Sequence, residues 1–148
     1  MKIKGHYHPA NPAGAGFPER YEGVAHVLLQ KKTLDHIALA KATNGDIVNI
    51  PPGYGHVTIN PSRDETLVMA NLVSTAFVSE YAFYEMMHGA ALYDLIDNTL
   101  VRNPHYPIVP DVQEMIAHIS PLKQFGDRSS LYDYVGNAAI AGMLNFSL

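Results

Sequence analysis

The sequence contains no cysteine. That excludes disulfides and thiolate metal sites, and it leaves imidazole and carboxylate as ligands for any bound metal. It also fits a reducing compartment, and the protein is read as cytoplasmic. There is no apolar run of the ~18 residues that a membrane-spanning helix needs. No apolar signal region follows the lysines of Met1-Lys2-Ile3-Lys4-Gly5-His6. Charge is sparse, at 16% of residues, and the formal net charge is −4. A broad basic surface for nucleic acid or anionic membrane is therefore not expected, although a local contact to a phosphorylated ligand is compatible with it. Repeats and low-complexity blocks are absent too. What is present is 148 residues, 47% of them hydrophobic, enough for one domain with a sizeable core.

Short extended runs separated by turn residues predict an all-β barrel or sandwich. Residues 9–18 are small and rich in proline and glycine, and they read as a loop. Residues 19–30 read as one strand and 35–42 as a second. Asn44-Gly45 is a hairpin turn signal. Asp46 to Ile50 is a strand stopped by Pro51-Pro52, because proline donates no ladder hydrogen bond. His56 to Asn60 and Thr66 to Ser74 follow as strands, the latter apolar enough to be expected at the centre of a sheet. Beyond Ser79 the reading is a helical turn near 82–88, a strand over 89–97, an extended segment over 103–110 and a strand or helix over 111–118. The domain is taken as 1–148, with its core about 3–80; residues 81–148 supply outer strands and a tail that packs on the barrel or on a partner subunit.

Chemistry begins early. His6 and His8 stand two apart, so on a strand they share one face and can reach a single ion at about 2.1 Å. Gly45, Pro51, Gly53, His56 and Asn60 fit the second cupin motif, G(X)5PXG(X)2H(X)3N, at every fixed position. In that pattern Gly45 makes a turn, Pro51 and Gly53 shape the delivery of His56 to the inner face, and Asn60 ties the strand down. The first cupin motif expects a glutamate soon after the histidine pair. Glu19 and Glu22 compete for that place; three residues apart, they face opposite sides of a strand. His26, His36, His88, His105 and His118 have no partner spacing and are expected on the surface or in structural roles.

Several segments carry a more specific resemblance. Lys4-Gly5-His6-Tyr7-His8-Pro9, Pro18-Glu19-Arg20-Tyr21-Glu22, Leu28-Leu29-Gln30 and Ile50-Pro51-Pro52-Gly53-Tyr54-Gly55-His56-Val57-Thr58-Ile59-Asn60 resemble the cupin-type glucose-6-phosphate isomerases of archaea and some bacteria. So do Ala70-Asn71-Leu72-Val73-Ser74, Phe77-Val78-Ser79-Glu80-Tyr81 and Asn103-Pro104-His105-Tyr106. The resemblance runs over roughly residues 3–135. It departs at Ile3, where the family usually has a threonine that contacts phosphate.

The resemblance implies a cupin fold, that is, a double-stranded β-helix or jelly-roll barrel. It also implies a homodimeric, metal-dependent isomerase that interconverts glucose 6-phosphate and fructose 6-phosphate. Its glutamate lies two residues before a tyrosine, which favours Glu19 over Glu22 as the fourth ligand beside His6, His8 and His56. The ion would be one divalent metal per chain, Fe, Mn, Ni or Zn. Glu19 doubles as the candidate base; an enediol route and a direct hydride shift both stay open. Lys4 and Gly5 are candidates for phosphate contact, and Tyr21, Tyr54 and Tyr81 for lining the sugar site. The readings that compete are a cupin for another sugar phosphate or another chemistry, and a non-catalytic metal- or sugar-binding cupin.

Overall fold

The computed structural model describes residues 5–7, 17–73, 78–116 and 131–134. Its strands are β1 (His6–Tyr7), β2 (Phe17–Glu22), β3 (Ala25–Lys31), β4 (Ile37–Ala42), β5 (Ile47–Ile50), β6 (Tyr54–Ile59), β7 (Val68–Asn71), β8 (Leu92–Asp94), β9 (Leu100–Arg102) and β10 (Val112–Ile116). A five-residue helix, α1 (Ala82–Met86), and a 3-10 turn at Leu131–Tyr134 complete the described elements. Among these residues no helix is long and apolar enough to cross a membrane. The fold is all-β and cupin-like.

Two sheets make the body, one of five strands in the order β1-β6-β3-β4-β10 and one of three in the order β5-β2-β7. Period-two alternation assigns the side chains. On β3, Ala25, Val27 and Leu29 point between the sheets; on β4, Ala38, Ala40 and Ala42 do. From the smaller sheet Tyr21, Val48 and Ile50 meet them. The alanines take little room, which lets long side chains reach across the gap. The opposite face of the larger sheet presents Tyr7, Leu28, Ile37, Leu39, Val57 and Ile59. Tyr84, Ala90, Ala91, Leu92, Tyr106 and Val109 cover that face, so a second core lies on the outside of the sheet.

The expected strand over 19–30 is in fact two strands in different sheets, with Gly23 between them donating its N–H to the Asn44 side chain. Glycine at this corner lets the chain leave one sheet for the other. The expected loop over 9–18 ends sooner, since β2 starts at Phe17; residues 9–16 lie outside the described set. Asn44-Gly45 does form a turn, closed by the Asp46 N–H on the Thr43 carbonyl at 3.0 Å. It joins strands of different sheets, however, not the two arms of a hairpin. Gly45 and Gly53 hold φ of 80° and 77°, which a side chain would strain.

The apolar run over 66–74 yields only β7, at an edge rather than the centre of its sheet, and all four of its residues are exposed. Over 89–97 only Leu92–Asp94 is strand, paired with the unforeseen β9. The segment 103–110 opens with a turn, the Tyr106 N–H meeting the Asn103 carbonyl at 3.1 Å. Residues 112–116 are strand, pairing parallel with β4. The tail residues 117–130 and 135–148 lie outside the described set.

Candidate metal centre

Three strands bring the site together between the sheets. β1 pairs antiparallel with β6, placing His6 directly across from His56, and the two rings stand 4.4 Å apart at 66°. Glu19 enters from β2, in the facing sheet, and is 1% exposed. Its Oε1 lies 3.0 Å from Nε2 of His56, itself 2% exposed. The other carboxylate oxygen, Oε2, accepts the Tyr21 hydroxyl at 2.5 Å and the Thr58 hydroxyl at 3.2 Å.

Parity explains the convergence. Thr58 follows His56 by two on β6, and Tyr21 follows Glu19 by two on β2, so each pair shares a face. Glu22 points outward from β2, pairing with Arg20 at 3.0 Å, and its side chain is 56% exposed. Strand geometry thus favours Glu19 as the inward carboxylate.

The electrostatics suit ligation. Burial pushes the Glu19 carboxyl up, but the His56 hydrogen bond and charge, with Tyr21 and Thr58, outweigh it and hold the group down at about 2. Burial, reinforced by His56, lowers His6 to about 4 against a smaller opposing pull from Glu19. An anionic carboxylate and a neutral imidazole are the protonation states that metal ligands require. The 3.0 Å separation of Glu19 Oε1 and His56 Nε2 would let both atoms reach one ion. The described residues alone contain no complete group of three such side chains in metal-binding geometry. His8 and Lys4, expected as ligand and phosphate contact, lie outside them.

The remaining site candidates take different places. Tyr81, 44% exposed, sets its ring 5.2 Å from His6. Tyr21, expected on the sugar-binding wall, has no exposed surface, and its hydroxyl is on Glu19. Tyr54 bonds through its hydroxyl to Nδ1 of His36 at 3.0 Å. Gly5 is buried, and a Cβ there would stand 2.5 Å from the Val57 side chain. His26 pairs with Asp94 at 2.5 Å, both nearly inaccessible, while His88 and His105 are exposed and stack at 4.3 Å. Thr58 was not singled out from the sequence, although its spacing from His56 was the available signal.

A family model described as glucose-6-phosphate isomerase (GPI) matches residues 1–111. No curated protein matches the chain.

Proposed function

The chain belongs to the glucose-6-phosphate isomerase family, and from that membership we propose that it interconverts glucose 6-phosphate and fructose 6-phosphate with a divalent metal held by His6, His8, His56 and Glu19. The observation that carries the metal reading is the buried Glu19–His56 pair at 3.0 Å with His6 across the strand. Imidazole and carboxylate ligands suit Fe, Mn, Ni or Zn. The ion, when bound, supplies Lewis-acid polarisation of the two sugar oxygens that exchange carbonyl character.

The protein's own groups do the rest. The reaction moves one hydrogen from C2 to C1 and one proton from the C2 oxygen to the C1 oxygen. Glu19 stays ionised and is the carboxylate nearest the histidine pair. It can accept hydrogen in an enediol route or remain a ligand in a direct hydride shift. The exposed Tyr81 beside His6 offers a hydroxyl to the sugar. We further place the activity in a homodimer, for which the exposed edge strand β7 is an available surface; sedimentation velocity measures that state.

The deciding experiment removes metal with a chelator and assays isomerisation before and after adding back Fe2+, Mn2+, Ni2+ or Zn2+. Activity is expected to vanish on stripping and return with at least one ion. Full turnover in protein shown by elemental analysis to be metal-free would refute the metal-dependent reading. With deuterium at C2, transfer of label to C1 supports the hydride shift, and complete loss to water supports the enediol.

A further inference from the structure

We infer that Thr58 is a positioning residue that, together with Tyr21, fixes Oε2 of Glu19 so that the carboxylate presents Oε1 alone to the metal. The inference rests on the metal reading above and adds how Glu19 is held. Its basis is the division of hydrogen bonds over the two oxygens. Oε2 takes both hydroxyl donors, Tyr21 at 2.5 Å and Thr58 at 3.2 Å, while Oε1 faces Nε2 of His56 at 3.0 Å.

The two donors come from different sheets. Tyr21 sits on β2 with Glu19 itself, whereas Thr58 is on β6 with His56. Thr58 therefore ties the carboxylate to the strand that carries the histidine ligand. Register places Thr58 opposite Val27 of β3, whose side chain belongs to the core between the sheets. A β-branched side chain on a strand has few χ1 choices, so its hydroxyl is held in place at little entropic cost. With both hydroxyls on Oε2, rotation of the carboxylate to offer two oxygens would break two hydrogen bonds. Groups that orient a metal ligand in this way commonly alter metal affinity 10–100-fold when removed.

The test uses full-length, metal-stripped protein titrated with Co2+, with affinity read by chelator competition and the ligand field by the visible spectrum. Thr58→Val keeps the side-chain shape and removes the hydroxyl. It is expected to weaken Co2+ binding about 10- to 100-fold, to shift the visible bands, and to lower kcat more than it raises KM. Thr58→Ser restores the hydroxyl and is expected to recover most of the affinity. A Thr58→Val chain with Co2+ affinity within about 2-fold of wild type and an unchanged spectrum overturns the inference while leaving the metal reading standing. Wild-type protein that takes up no Co2+ overturns both. If Thr58→Val fails to fold, Tyr21→Phe removes the companion bond; the same loss supports the inference, and unchanged affinity overturns it.

Discussion

The five-stranded sheet buries polar side chains on both faces, and the two faces use them differently. Between the sheets, His56, Tyr21 and Thr58 converge on the Glu19 carboxylate, and His6 sets its ring against His56. On the outer face the polar groups link elements together. Gln30, fully buried, donates to Tyr7 at 2.8 Å and Tyr106 at 3.1 Å and accepts the Ala91 N–H at 2.8 Å. Tyr106 in turn donates to the Gly89 carbonyl at 2.9 Å. One face therefore gathers its polar groups on a single carboxylate, and the other spreads its bonds, those of Gln30 and the buried His26–Asp94 pair, so that they anchor the covering layer and brace Tyr7. The comparison separates chemistry from architecture on a single sheet.

The strongest way to break that distinction is Glu19→Gln. It removes the inner charge with little change in shape and is expected to reduce kcat/KM by about 10²–10⁴-fold, the range for loss of a positioned acid–base group. A steady-state assay with thermal melting alongside checks that folding survives. Next comes Gln30→Leu on the outer face. It leaves the buried Ala91 N–H without its acceptor and removes a donor from two tyrosines, costing about 2–3 kcal/mol of stability. Urea unfolding measures this; a comparable loss of activity without loss of stability would erase the contrast between the faces.

Acid gives a subtler probe. Glu19 titrates at about 2 in the fold against 4.5 unpaired, and His6 at about 4 against 6.5. In both cases the unfolded chain binds more protons, so stability falls with falling pH. The His6 contribution is lost from about 6.5 down to about 4, and that of Glu19 from about 4.5 down to about 2. Urea midpoints of metal-free protein against pH should show this decline, and Glu19→Gln should remove its lower part. On the outer face, burial raises Tyr7 and Tyr84 above their ordinary values, which adds nothing in acid. The smallest effect is expected from Glu22→Gln, whose exposed side chain pairs with the neighbouring Arg20. Activity and metal content should stay near wild type; a large loss would return Glu22 to the ligand set.

What the sequence disclosed follows from how locally each feature is encoded. The turns on either side of β5 need particular residues at fixed spacing, so Gly45, Pro51, Gly53 and His56 could be read directly. Strand parity set Glu19 and Glu22 on opposite sides, the resemblance chose Glu19, and the same parity applied to His56 would have found Thr58. The outer face was not legible, because Gln30 meets Ala91 and Tyr106, and His26 meets Asp94, across long stretches of chain. No local pattern encodes such pairs. Hydrophobicity misplaced β7: Val68 and Met69 suggest a central strand, but the sheet ends there and leaves them exposed. A break within 19–30 had only Gly23 to announce it.

The parallel pairing of β10 with β4 bears on how the molecule assembles. Val112 aligns with Ile37, so the two strands meet only after everything between them has been made and gathered in. β1, β3, β4 and β6 otherwise pair antiparallel, and β3 joins β4 through a short connection. Contacts that close long loops raise the folding barrier and form late. Until β10 arrives, β4 is an open edge, able to pair with any extended chain nearby. Strand β10 thus acts as a seal on this edge of the sheet, and the interval before it docks leaves a newly made chain open to joining another by mistake.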